Sequence, residues 1–152
     1  LYFLSGAGPR VLNLPGLPPV AVLICYEVIF PDEIPGITSE TPRPNWLLNI
    51  TNDAWFGNTA GPYQHLAAAR LRAVEHGLPL VRVANTGISA IIDPYGRIIK
   101  ALGLGQSGVI DLGLPTSLKP TVFSQLHSII LWSLTLLGLL FLSIFGRCNR
   151  PS

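Results

Sequence analysis

Twenty consecutive residues near the C-terminus, LHSIILWSLTLLGLLFLSIF (Leu126 to Phe145), contain no Asp, Glu, Lys or Arg. As a helix rising about 1.5 Å per residue they would reach roughly 30 Å, the thickness of bilayer hydrocarbon. Core helices are usually shorter and keep a polar stripe. The run therefore predicts a transmembrane helix over 126–146, with His127 at its entry and Trp132 inside it. GRCNRPS follows, with Arg147 and Arg150 and no acid. Basic residues gather on the cytoplasmic side of membrane helices, which predicts a cytoplasmic tail at 147–152. Residues 1–119 then lie across the membrane from it, joined through a juxtamembrane linker at 120–125. The first residue is Leu1, in an apolar stretch with no signal-peptide pattern, and the chain is expected to be part of a longer protein.

The net charge of +2 is scattered rather than striped, which argues against a nucleic-acid partner. With a spanning helix, the two cysteines, Cys25 and Cys148, stand on opposite sides and cannot pair. Cys148 reads as incidental or as a lipidation site. Cys25 is left as a free thiol.

Ahead of the membrane run the pattern alternates between apolar β-rich stretches and one helix. SGAGPRVLNLPGLPP (5–19) is loop, with a short edge strand at Val11–Leu14. VAVLICY (20–26) suits a strand buried on both faces, and NWLLNITND (45–53) a second. PDEIPGITSETPRP (31–44) is turn-rich, with room for one helical turn, and AWFGNTAGP (54–62) is a loop. YQHLAAARLRAVEH (63–76) is a helix with Leu66, Ala69, Ala73 and His76 on one face, stopped by Gly77. LPLVRVAN (78–85) is a third strand. GISAIIDPYGRIIKAL (87–102) is a hairpin turning at Asp93-Pro94-Tyr95-Gly96, and GVIDLGL (108–114) a last short strand. Strand, helix, strand and hairpin in this order imply α/β layers.

Few chemistries fit. Gly103-Leu104-Gly105-Gln106-Ser107-Gly108 matches GxGxxG, but no helix follows to receive a pyrophosphate. His65, His76 and His127 have no metal-ligand spacing, and His65 and His76 read as polar helix residues, so no metal or cofactor is expected. Asn49-Ile50-Thr51 matches a glycosylation acceptor but falls in a buried strand. G-x-S-x-G is absent. Cys25, at the end of an apolar strand, could attack a carbonyl if a base took its proton and N–H donors held the oxyanion. The Tyr26 N–H is placed to be one donor. Glu27 points to the same side as Cys25 if the strand continues, but a carboxylate so close calls for a compensating cation. Free cysteines are also commonly buried and inert, so the residues alone leave nucleophile and core thiol both open.

Longer motifs go further. ICYEVIFP, NWLLNITNDAWFG and GPYQHLAAARLRAVEHGLPLVRVANTGISAIIDPYGRII, in this order, resemble the carbon–nitrogen hydrolase (nitrilase) superfamily, and within it the apolipoprotein N-acyltransferase family. The resemblance implies an α/β fold: part of a nitrilase-like αββα sandwich, at 1–119, followed by one transmembrane helix. It implies a multi-pass enzyme of the bacterial inner membrane with a periplasmic catalytic domain and no cofactor. Its partners would be a phospholipid acyl donor and a diacylglyceryl apolipoprotein acceptor, with the acyl chain carried as a cysteine thioester. Cys25 matches the family nucleophile, Tyr26 a backbone oxyanion donor and Glu27 a supporting residue. Trp55 and Phe56 match an aromatic substrate-binding loop, though both could simply be core, and Glu75 could simply pair on its helix.

The departure from the family is upstream. Its triad is Glu, Lys and Cys, and the first two precede the cysteine, yet the residues before Cys25 contain no Glu, Asp or Lys. The chain is therefore expected to be the C-terminal part of such an enzyme and inactive alone, because triad members act as a unit. Two rivals stand beside this reading: an amidase or nitrilase acting on small C–N bonds, and a non-catalytic membrane-anchored module.

Overall fold

The computed structural model describes residues 8–34 and 42–148, with no side-chain description at 33, 127, 128 and 143–148. Six strands form a single sheet in chain order: β1 (Val11–Leu12), β2 (Val20–Ile24), β3 (Trp46–Asn52), β4 (Leu80–Asn85), β5 (Ser89–Ile92) and β6 (Ile98–Leu102). β2, β3 and β4 run parallel, and β1, β5 and β6 flank them antiparallel. Helix α1 (Gly61–His76) makes the crossover from β3 to β4, as parallel neighbours require.

α1 begins with Pro62 in its first turn, where a missing N–H costs nothing. It ends at Gly77, left-handed at φ +61°, whose Cβ position is crowded by Leu118, Lys119 and Thr121. The helix covers one sheet face. Leu66, Ala69 and Ala73 pack on Ala21, Leu23, Leu47, Leu80, Ala90 and Ile92 to form the core. The expected helical face is thus the buried one.

The opposite sheet face is open, contrary to the expectation that the parallel strands are buried on both sides. Ile24, Ile50 and Val83, alternating with core residues on β2, β3 and β4, are 53%, 45% and 51% exposed. A single helix covers only one face. This is why these largely apolar strands are here half covered.

The hairpin forms as expected. The Asp93 carboxylate accepts from the N–H groups of Tyr95 and Arg97, both at 2.9 Å, and from Arg97 Nε at 2.6 Å. Gly96, at φ +76°, lies against Val74 of α1, and its carbonyl accepts from Arg70 Nε at 2.8 Å.

Other expectations need correction. GVIDLGL is not a strand: after the turn at 103–106 the chain runs outside the sheet ladder, and Val109 is exposed. The stretch 54–62, expected as loop, opens within a 3-10 turn, Asp53–Phe56, capped by the Asn52 side chain, and ends in the first residues of α1. A 3-10 turn at Pro31–Glu33 supplies the expected helical turn of the connection to β3; residues 35–41 lie outside the described residues.

The apolar run lies within helix α2 (Val122–Cys148), which begins inside the expected linker. Arg43 ties its approach to α1, donating to the carbonyls of Leu118 (2.9 Å) and His76 (2.6 Å). Phe123 meets the His76 ring edge-on. Among the described residues, no helix is long and apolar enough to cross a membrane. Tail residues 149–152 lie outside the described residues.

Candidate active site

The parallel strands β2, β3 and β4 end along one edge of the sheet, the edge where ligands bind in open α/β folds. Cys25 follows β2 there, Asp53 follows β3, and Asn85-Thr86-Gly87 closes β4. Strand geometry stops at Ile24. Cys25 has φ +52°, one of two non-glycine residues with positive φ among the described residues, the other being Thr86 at +56°. A left-handed conformation costs a residue with a Cβ about 1–2 kcal/mol, a penalty that persists where the surroundings over-determine it. The chain then turns into a 3-10 helix, Cys25–Ile29.

That turn corrects the expected position of Glu27. Because the strand does not continue, the Glu27 carboxylate folds back and accepts from the Ile24 N–H at 2.6 Å, bracing the corner. Tyr26 is half exposed, with its ring stacked on His65 at 5.4 Å between centroids. Phe56 meets both the Tyr26 ring (6.0 Å) and the His65 ring (5.9 Å) edge-on. Trp55, by contrast, is 87% exposed. The structure thus brings Cys25, Tyr26, Glu27 and Phe56 together and turns Trp55 outward.

Beneath Cys25 lies a buried polar cluster that sequence reasoning missed. His65, read as a polar helix residue, is buried: its Nδ1 is 2.9 Å from Asp53 Oδ1 and its Nε2 3.2 Å from the Cys25 carbonyl oxygen. Arg82 donates to Asp53 Oδ2 at 2.7 Å and to Asn49 Oδ1, and its NH2 is 3.1 Å from His65 Nδ1. Asn49 Nδ2 donates to the Leu23 carbonyl at 3.1 Å and reaches that of Cys25 at 3.4 Å. Asn49 is fully buried and engaged, which leaves no room for a glycan. Thr51 Oγ1 donates to Asp53 Oδ1 at 3.2 Å.

The electrostatics suit a charged interior. Burial pushes the Arg82 guanidinium below its ordinary value, while Asp53 beside it, and more weakly a negative Cys25, favour its charged form. Gly87 packs on the Asp53 carboxylate so closely that a Cβ there would lie 2.4 Å from Oδ2. One signal could have revealed the cluster: Asn49 and Arg82 are polar residues inside apolar strands, and they are direct neighbours in the β3–β4 register.

A cysteine on a strained corner at the C-terminal edge of a parallel sheet, backed by buried polar groups, makes this an α/β protein with a candidate thiol site. The chain belongs to the carbon–nitrogen hydrolase family, whose model matches residues 1–118. Among curated proteins it is similar to the apolipoprotein N-acyltransferase of Rhodopseudomonas palustris, 58% identical over 123 residues, covering 81% of this chain and 22% of the relative. Similarity to that of Bradyrhizobium diazoefficiens is 51% over 127 residues, covering 84% and 23%. The chain thus spans under a quarter of the length of these relatives. Among solved structures it resembles an amidase from Nesterenkonia sp. (TM-score 0.51, 24% identity, covering 82% of this chain and 46% of the amidase). A CN-hydrolase superfamily protein from Xanthomonas campestris also matches (TM-score 0.50, 18% identity, 66% and 41%). The nitrilase-like α/β sheet is thereby shared.

Proposed function

We propose that this chain is the C-terminal part of an apolipoprotein N-acyltransferase and carries its nucleophile, Cys25. The observation that carries the reading is the strained corner at Cys25, held over a buried Asp53–His65–Arg82 cluster. Similarity at 58% identity to a protein of that name narrows the chemistry within the family.

In the first half-reaction the Cys25 thiolate attacks the acyl carbonyl carbon of a phospholipid. The C–S bond forms, the oxyanion is held by donors that include the Tyr26 N–H, and the C–O bond breaks as the lysophospholipid oxygen takes a proton. In the second, the N-terminal amine of a diacylglyceryl-cysteine lipoprotein attacks the thioester. The C–N bond forms, the C–S bond breaks, and the amine proton returns the sulfur to thiol through a base. The Glu base and the Lys come from sequence ahead of this chain, so these 152 residues alone do not turn over. Glu27 supports the corner through Ile24, and Phe56, with the outward Trp55, borders the acyl chain.

The open face carrying Ile24, Ile50 and Val83 suits a second sheet supplied by the same protein, completing an αββα sandwich. With the catalytic part periplasmic and the basic tail cytoplasmic, the membrane span is read from the charge-free sequence run 126–146, although the described part of helix α2 alone is not long and apolar enough to cross. Its Leu131, Trp132, Leu136 and Leu139 are exposed, and Ser133 and Thr135 turn their hydroxyls onto the helix's own carbonyls at 2.7 and 2.9 Å. That is how polar side chains are satisfied in hydrocarbon.

The test is product analysis of the longer protein, supplied with phosphatidylethanolamine and a diacylglyceryl-cysteinyl peptide. Lysophosphatidylethanolamine and N-acylated peptide in equal amounts are expected. Release of ammonia from small amides without peptide acylation would replace this reading with the amidase, and neither product would leave an anchored, non-catalytic module.

A further inference from the structure

His65 occupies a position that general-base chemistry does not explain. Its Nε2 faces the carbonyl oxygen of Cys25 at 3.2 Å, not an open space beside the thiol, and a carbonyl only accepts. Nε2 therefore carries a proton and donates. On its other side Nδ1 lies 2.9 Å from Asp53 Oδ1 and 3.1 Å from Arg82 NH2, so that it is held either by donating to the carboxylate or by accepting from the guanidinium, and Asp53 is in turn fixed by Arg82 and Thr51. Tyr26 stacks on one face of the ring and Phe56 meets it edge-on. Every surrounding group limits the ring's rotation.

The Cys25 carbonyl belongs to the same planar peptide unit as the Tyr26 N–H, and in a trans peptide these point in opposite directions. No cis peptide bond occurs among the described residues. Pinning the oxygen toward His65 therefore aims the N–H away from the ring and from the buried cluster. Asn49 Nδ2, at 3.4 Å from the same oxygen, reinforces the tilt.

We infer that His65, clamped by Asp53, is a positioning residue that aims the Tyr26 N–H at the developing oxyanion by donating Nε2–H to the Cys25 carbonyl. The inference rests on Cys25 being the nucleophile, but not on which acyl donor it uses. It makes a separable demand: His65 should matter for acylation, which passes through an oxyanion, and not for alkylation of the thiol, which does not.

Two variants in the longer protein divide the roles of the ring. In His65→Gln the amide nitrogen stands near the place of Nε2 and can still donate to the Cys25 carbonyl. In His65→Asn it stands near Nδ1, keeps Asp53 and loses that donor. Thiol acylation is read as the burst of nitrophenolate from p-nitrophenyl butyrate, and alkylation as incorporation of iodoacetamide at Cys25 across a pH series. The expected result is acylation slowed about 10²-fold in His65→Asn, as for loss of one oxyanion donor. His65→Gln should remain within tenfold of the unmodified protein, and alkylation should follow the same rate and pH profile in all three.

Equal acylation in both variants, whether fast or slow, would overturn the inference, as would alkylation falling in step with acylation. An altered pH profile for alkylation would make His65 a base instead. Absence of a burst in the unmodified protein would overturn it too. A burst without acylation by phospholipid would count only against the proposed lipid donor.

Discussion

At Cys25 the backbone adopts a conformation that only glycine accepts freely, and the chain nevertheless places a thiol there. Substituting glycine for alanine ordinarily destabilises regular structure by roughly 0.5–1 kcal/mol. Here the order should invert. Cys25→Gly is expected to be more stable than Cys25→Ala by about 1 kcal/mol in urea unfolding of the detergent-solubilised protein, because glycine relieves the left-handed strain. The reverse order would mean that the corner is unstrained. Asp53 makes a second prediction at this scale. Its side chain is fully buried beside Arg82, so Asp53→Ala leaves a guanidinium uncompensated and should cost about 3–5 kcal/mol by the same measurement. That Cys25, Tyr26 and Glu27 stand together at the end of a strand was legible in the sequence, because motif and strand end coincide there. His65 and Asp53 were not, since an isolated histidine on a helix and an aspartate after a strand look like surface residues until the fold superposes them. The position of Glu27 was misjudged for a related reason: strand alternation predicts its side only while the strand lasts, and it stops at Ile24.

Among the elements, the hairpin and α1 were the most legible. A Pro-containing turn between β-rich arms, and an apolar stripe ended by glycine, each carry local chemistry sufficient to define them. GVIDLGL failed because β-rich composition marks a chain able to pair, and pairing is decided by whether an edge is within reach. The hairpin turn also carries a pH prediction. Burial alone would raise the Asp93 carboxyl, but the N–H groups of Arg97 and Tyr95 and the Arg97 guanidinium outweigh it and hold it below its ordinary value. A depressed folded-state value contributes stability that is complete above the unfolded value, about 3.9, and lost as pH falls through the lower folded one. Asp93→Asn should therefore lower the thermal midpoint at neutral pH, with the gap to the unmodified protein closing below about pH 4. A gap independent of pH would show that the carboxylate's charge contributes nothing to the turn.

At the scale of the whole molecule, the described residues leave one sheet face and the leucines of α2 exposed. Exposed apolar area of this kind marks an interface or a bilayer contact. Both fit a chain that spans under a quarter of the length of its Rhodopseudomonas and Bradyrhizobium relatives. Liposome flotation addresses α2: the chain should float with vesicles and resist extraction by carbonate, and carbonate release would contradict a spanning helix. The account as a whole turns on covalent chemistry at one sulfur. The most direct measurement is peptide-mapping mass spectrometry of the longer protein after incubation with phosphatidylethanolamine, with and without hydroxylamine, beside a Cys25→Ala control. The account predicts a hydroxylamine-labile acyl mass on the peptide containing Cys25, absent from the control and discharged by a diacylglyceryl-cysteinyl peptide. An unmodified Cys25, or an acyl mass that survives in Cys25→Ala, would contradict it.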